Sequence, residues 1–298
     1  MSGIVVYVAG GAMSAVFSLG VLHRLEALEL SEIRAIYGVS AGALNAACFA
    51  TNSSINALPW YTKIMSEEHI IKHQSFISVM RGVESLDMVR AEELLEQHEI
   101  VNIAALIKMP IPVYAKVLNA TNNEITYIDL RRDDALHVLR ASATLVPFTI
   151  EPTILAGQPY IDGAIGECIG IDRLRERHPG ARFIVILNEP YSEYSMQRIM
   201  HWALLRSTNT TLATAYWVNT RNVIQEITEL RASSDCFVFE PSAQYAVTCL
   251  TTNSDVLTAG FQEGCETTSK YLDALGVFLK PPAPDAVMER LSLELNIN

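Results

Sequence analysis

At 298 residues, half of them hydrophobic and 18% charged, the chain is long enough to bury a substantial core and too apolar to be disordered. Its 22 basic and 33 acidic residues leave a net charge of −11, which argues against a nucleic-acid partner and against electrostatic docking on anionic membranes. Cys48, Cys168, Cys236, Cys249 and Cys265 are odd in number, widely spaced and free of any C-x-x-C pair, which argues against a disulfide framework or a zinc site.

The stretch "IVVYVAGGAMSAVFSLGVL", Ile4 to Leu22, is uncharged and close to the roughly 20 residues of a membrane span. Two features oppose that assignment. "MSG" lacks the basic start of a signal peptide, and Gly10-Gly11 interrupts the run, with β-branched Val5, Val6 and Val8 on one side only. The pattern predicts a buried strand at Ile4–Ala9, a glycine turn, and a helix over Val16–Leu28 with Phe17, Val21, Leu25 and Leu28 at helical spacing. "IRAIYG" reads as a second strand and "SAGALNAACFA" as a helix of small residues. Two strand–loop–helix units in succession predict a mainly parallel sheet covered by helices.

From Asn52 to Met109 no clear strand occurs, and Trp60, Met65, Met80, Met88 and Met109 stand among polar residues. Helices and loops laid over the sheet as a cap (52–110) account for this, and so does ordinary packing with methionine as gap-filler. "PVYAKVLNA" and "ITYIDL" read as a hairpin through "TNNE". A helix over Asp133–Ala143 follows, then a hairpin in "TILAGQPYIDGA" turning at Ala156-Gly157. "DRLRERHPGARFIVILNEP" predicts helix, turn and a strand at Phe183–Leu187. Residues 195–231 read as helical, "DCFVFEP" as a strand and Asp255–Leu275 as helical. With neither repeat nor linker, the expectation is one domain over 1–298, its 195–298 part mostly helical.

Gly38-Val39-Ser40-Ala41-Gly42 matches G-x-S-x-G between a predicted strand and a predicted helix. A sharp strand-to-helix turn exposes the serine hydroxyl, and it needs small neighbours to form without clashes. The helix N-terminus behind it favours developing negative charge. Ser40 is therefore a candidate nucleophile that needs a base. His23, His69, His73, His98, His137, His178 and His201 sit mostly on polar helices and read as solvated surface residues, though Asp162 followed by His178 or His201 would give a formal triad. Asp162 in "PYIDGA" is the better base. It closes an apolar strand, Gly163 lets the chain turn away, and a carboxylate so held can take the serine proton directly. A plain Asp-Gly turn is the alternative use of that dipeptide.

Taken together, the glycine-rich "GGAMSAVFSLGVL", the elbow "GVSAG" and the "DGA" motif resemble the patatin-like phospholipases, lipid acyl hydrolases with a Ser–Asp dyad. "RASATLVPF" and "ARFIVIL" extend the likeness from Ile4 to Asn188. The resemblance implies a three-layer α/β/α patatin-like fold with an inserted helical cap, Ser40 as nucleophile and Asp162 as its base. It implies an oxyanion hole from the backbone of Gly10, Gly11, Ala12 and Met13, the elbow residues Gly38, Val39, Ala41 and Gly42, and Gly163 and Ala164 of the aspartate motif. The implied reaction cleaves carboxylic esters of lipid or phospholipid through an acyl-enzyme, with no cofactor and no metal.

Three positions depart from the family pattern. Ala12 replaces a glycine, Ser14 an Arg or Lys, and Ala15 another glycine. Alanine keeps its N–H donor, and a positive φ at Ala12 would cost on the order of 1 kcal/mol. These departures motivate the alternative of a catalytically weak, lipid-binding or regulatory protein. "VAGGAMSA" as a dinucleotide loop fails, because the glycines that motif needs after Gly10 are Ala12 and Ala15. The expected setting is cytoplasmic, with no nucleic-acid partner; transient contact with a membrane surface, or non-classical export, is compatible with the sequence.

Overall fold

The computed structural model describes residues 3–28, 30, 32–72, 83–146, 148–190 and 210–280. Among them one eight-stranded sheet contains β1 (Ile4–Val8), β2 (Ile33–Val39), β3 (Val113–Asn119), β4 (Ile125–Asp129), β5 (Thr153–Leu155), β6 (Gln158–Asp162), β7 (Arg182–Ile186) and β8 (Cys236–Phe239). Nine helices are used below: α1 (Val16–Glu26), α2 (Ala41–Ala50), α3 (Met88–Gln97), α4 (Ile103–Ile107), α5 (Ala135–Ala143), α6 (Ile171–Arg177), α7 (Thr210–Ala232), α8 (Ser254–Lys270) and α9 (Leu272–Leu279).

The strand order is β5-β6-β3-β2-β1-β7-β8, with β4 on β3. The β3-β2-β1-β7-β8 part is parallel, while β4, β5 and β6 are antiparallel additions, so the sheet is mixed rather than uniformly parallel. Why β1 is apolar without alternation is clear from its two faces. Ile4, Val6 and Val8 pack with α1, α2, α5 and α8, while Val5, Tyr7 and Ala9 pack with α6 and α7. The result is a three-layer α/β/α arrangement.

One detail of register positions everything that follows. β4 takes one edge of β3. The other edge is shared end to end: β2 runs parallel until Val39 stands opposite Lys116, and β6 runs antiparallel until Asp162 stands opposite Val117. Two strands of opposite direction thus finish at neighbouring positions of a third, and the residues at their ends, Ser40 and Asp162, converge.

Between α2 and β3 lie a 3-10 turn (Ser54–Ala57), a π-helical turn (Trp60–Ile64) running into Met65–Glu67, an isolated bridge Ile71–Leu86, α3 and α4. Asp87 caps α3 through the Arg90 N–H at 3.0 Å, and α3 packs on α5. The helix expected over Asp255–Leu275 is two helices, α8 and α9, broken at Tyr271. His73, Met80, His201, residues 195–209 of the expected helical segment and the tail after 280 lie outside the described residues.

Candidate active site

β2 delivers the chain to Ser40, and α2 starts at Ala41. The reversal is made at Ser40 itself, with φ 56° and ψ −133°, a strained conformation that a non-glycine residue holds only where its surroundings enforce it. The enforcing contacts are backbone on backbone. A Cβ on Gly38 would collide with the Gly42 carbonyl and Ala43, and one on Gly42 would collide with the carbonyls of Val8 and Ala9. Both glycines are required because α2 lies directly on its own strand and on the end of β1. Val39 is fully buried under the turn.

Asp162 ends β6 and is 2% exposed. Its N–H donates to the Thr144 carbonyl at 2.9 Å and its carboxylate accepts the Ala164 N–H at 2.9 Å, which fixes both backbone and side chain. The Ser40 hydroxyl faces it as a hydrogen-bond donor. Burial drives its pKa up, and the Ala164 N–H, the Ser40 hydroxyl and the Lys116 cation only partly offset this, leaving it at about 6. Gly163 is needed for closeness, since a Cβ there would stand 2.8 Å from both the Cγ and the carbonyl oxygen of Lys116.

Across the site runs the loop from Gly10 into a 3-10 turn at Ala12–Ala15. Among the described residues the N–H groups of Gly10, Gly11, Ala12 and Ala41 have no hydrogen-bond acceptor, and all four residues line the cavity around Ser40. The Met13 N–H is different: it donates to the Cys249 carbonyl at 3.4 Å. Gly11 has φ 151° and Ala12 has φ 48°, so Ala12 carries the left-handed strain anticipated for it. Ser14 is fully buried, and its hydroxyl and N–H both bond the Gly11 carbonyl, at 2.7 and 3.0 Å. Asn188 pins the loop from below, its amide donating to the Ala9 and Gly10 carbonyls at 2.6 and 3.2 Å and accepting the Ser18 N–H at 3.0 Å.

The cavity measures about 310 Å³, at the small end of ligand pockets. Its floor is Gly10–Met13, Ser40, Ala41, Asp162 and Ala164, and its walls are mainly apolar side chains such as Leu44, Trp60, Met88, Leu95, Leu139 and Phe148. Met65 and Met88, from the segment between α2 and β3, line it as well. Among the described residues the one lining cation, Arg140, is paired with Glu92 at 2.8 Å, and the lining carboxyl of Glu189 has its pKa raised by burial. No lining residue among the described residues is a histidine. His178, expected to be solvated, is instead half-buried and bonded to the Tyr37 hydroxyl at 2.8 Å, with its pKa lowered by burial. That contact uses the β2 side chain that packs with α6 and α7, so His178 serves the opposite face of the sheet. Among the described residues no His, Cys, Asp and Glu side chains gather in a group that could hold a metal ion, and no helix is long and apolar enough to cross a membrane.

Three contributors escaped the sequence. Ser142 of α5 is fully buried, accepts the Ser40 N–H at 2.9 Å and donates to the Lys116 carbonyl at 2.7 Å. Asn188 was legible only as the end of a strand. Lys116 left a signal that could have been used: one lysine inside the apolar run "PVYAKVLNA", on a strand expected to be buried.

A family model described as patatin-like phospholipase matches residues 6–174, more than half of the chain. Among solved structures, the crystal structure of VipD from Legionella pneumophila is similar, with 12% sequence identity and a TM-score of 0.46. That match covers 92% of this chain and 67% of VipD. No curated protein sequence matches the chain.

Proposed function

Because the chain belongs to the patatin-like phospholipase family, whose members are lipid hydrolases, we propose that it is a serine acyl hydrolase cleaving carboxylic ester bonds of lipids with a Ser40–Asp162 dyad. One observation carries this reading. A serine held in a strained strand-to-helix turn faces a 98%-buried carboxyl across the ends of two converging strands, in an apolar cavity that no histidine lines among the described residues.

The chemistry follows from that placement. Asp162, ionised, takes the Ser40 proton as Oγ bonds to the ester carbonyl carbon, and the carbonyl π electrons move onto oxygen. The unengaged N–H groups of Gly11, Ala12 and Ala41 are the donors available to that oxyanion, backed by the N-terminal end of α2. The tetrahedral intermediate collapses with cleavage of the C–O bond to the alcohol, which leaves with the proton from Asp162. Water then attacks the acyl-enzyme, gives a proton to Asp162 and releases the fatty acid, and the proton returns to Ser40. Since only the carboxylate form of Asp162 is a base, hydrolysis rises with pH through about 6 and levels above it. Among the described residues a neutralised Arg140 and a buried Glu189 leave the cavity without a free cation, which favours uncharged or zwitterionic esters over anionic ones.

The left-handed Ala12 favours a second reading, in which the hydrolase is weak and lipid binding is the retained activity. One experiment tests both. Purified protein is incubated with a serine-directed fluorophosphonate and, separately, with a panel of lipid classes, and released fatty acid is measured by mass spectrometry beside Ser40→Ala. The dyad reading expects labelling at Ser40 and hydrolysis lost in the variant. Lipid bound without labelling or turnover would overturn it in favour of the second.

A further inference from the structure

Lys116 is a charged side chain with no contact with water. It sits on β3 with 0% exposure, at the position where β2 ends beside it and β6 ends beside its neighbour Val117. Removing an ammonium from water is costly unless every donor is matched. Here every donor is matched: Nζ reaches the carbonyls of Glu167, Cys168 and Ile169 at 2.7, 3.0 and 3.1 Å. Three acceptors fit the three hydrogens of an ammonium and exceed the two of a neutral amine, so the geometry favours the cation against the burial that lowers its pKa. The Tyr7 ring lies 5.2 Å from Nζ, and the Tyr7 hydroxyl donates to the same Cys168 carbonyl at 2.7 Å.

Both halves of the proposed dyad are tied to this one residue. On the Ser40 side, the Lys116 carbonyl accepts the Ser142 hydroxyl, and that hydroxyl accepts the Ser40 N–H. On the Asp162 side, the Lys116 stem and carbonyl press on Gly163, and the ammonium grips the segment that follows it. A structural lysine would do as well at many places in the sheet. This one lies where β2 and β6, the two strands from which Ser40 and Asp162 emerge, meet end to end on β3.

We propose that Lys116 is a positioning residue of the site, a backbone strut that fixes the Ser40 and Asp162 strand ends to each other and a buried cation set behind the base. The proposal rests on the hydrolase reading above. Its charged surroundings are Asp162 on β6, Glu167 after it and Glu226 on α7, whose carboxylate accepts the Gly170 and Ile171 N–H groups at 2.7 and 2.9 Å. On the cavity side of Asp162 the charged groups are the Glu92–Arg140 pair and Glu189. Among the described residues Lys116 is the cation that acts on Asp162, opposing its burial in the same direction as the Ala164 N–H and the Ser40 hydroxyl.

The test compares pH profiles of Ser40-dependent ester hydrolysis in wild type, Lys116→Gln and Ser142→Ala. Glutamine keeps a donor for the carbonyls and removes the charge. It is expected to move the acid limb of kcat/KM up by about one pH unit, a loss of roughly fivefold at pH 6 that vanishes by pH 9. Ser142→Ala cuts the strut but keeps the cation, and is expected to lower kcat with the acid limb and KM in place. A folded Lys116→Gln enzyme with an unmoved acid limb overturns the proposal, and so does a Ser142→Ala enzyme with unchanged kcat. Should Lys116→Gln fail to fold, the native protein labelled with 15N-lysine supplies the answer. The buried ζ-15N resonance is expected to be that of an ammonium and to shift as Asp162 titrates, an effect lost in Asp162→Asn; a resonance indifferent to that titration overturns the proposal. A wild-type chain without Ser40-dependent hydrolysis would sink the hydrolase reading instead, and the NMR outcome would stand apart from it.

Discussion

Replacing Asp162 by asparagine removes the proposed base and should make the protein more stable. The carboxyl is 2% exposed, and burial holds its pKa at about 6 against an ordinary 3.8. The gap of about two units, at 1.36 kcal/mol each, is about 3 kcal/mol by which ionisation disfavours the folded state. The sign follows from the direction. A folded-state pKa above the unfolded one means stability is fully present below pH 3.8 and is lost as pH rises through about 6. Asparagine cannot ionise and so escapes the loss, while its carbonyl oxygen still accepts the Ala164 N–H. Lys116 keeps its three carbonyl acceptors, so the substitution leaves no unmatched cation. The variant is expected to gain about 1 kcal/mol at pH 4.5 and about 3 kcal/mol at pH 8, which for a chain of this length is about 5 °C in Tm at the higher pH. Thermal unfolding of both proteins at the two pH values measures it. A variant less stable than wild type at pH 8, or an equal difference at both pH values, would show that Asp162 is not a desolvated carboxyl and would remove the basis for its activation.

Other expectations concern the backbone. Ala12→Gly relieves the left-handed strain at φ 48° and should leave stability unchanged or raise it by up to about 1 kcal/mol, with hydrolysis equal to or above wild type; a loss of both in thermal scans and turnover would contradict the strain. Gly11→Ala should behave oppositely, since φ is 151° and the new Cβ would stand 3.1 Å from the Asn188 Cβ and against the Ser14 hydroxyl. Gly42→Ala drives a methyl into two backbone carbonyls of the β1 end and should cost about 3 kcal/mol or more, read as a collapse of Tm or of soluble yield.

Much of this arrangement could be read from the sequence because it is local. The uncharged opening run separates into strand, loop and helix because glycine and β-branching are short-range signals, and the elbow is a five-residue motif whose context is its own strand and helix. The placement of Asp162 at the end of a hairpin strand is legible for the same reason. What was not legible depends on long-range pairing. Ser142 meets Ser40 across 102 residues, Asn188 meets Ala9 across 179, and Lys116 meets Cys168 across 52, and nothing in the local pattern of any of them names its partner. His178 was misjudged on the same ground: its polar helix hides a partner 141 residues away. The end-to-end meeting of β2 and β6 on one edge of β3, which brings Ser40 and Asp162 together, is a property of sheet topology alone.

The three departures in the oxyanion loop therefore do not carry equal weight. Ala15 is right-handed at φ −66°, so its methyl costs nothing where glycine is usual. Ser14 does not merely lack a charge. Buried and doubly bonded to the Gly11 carbonyl, with its own carbonyl accepting the Tyr245 hydroxyl at 2.8 Å, it closes the loop on itself in a place where a basic side chain would have no water. Asn188 adds the anchoring from the sheet side. Only Ala12 holds strain, on the order of 1 kcal/mol, and its N–H is still free. Strain of that size is small against the factor of 100 to 1000 that a lost oxyanion donor typically costs, about 3 to 4 kcal/mol. The loop as built thus keeps the donors and fixes them by internal polar contacts in place of an external charge, and that arrangement favours a working hydrolase over a binding remnant.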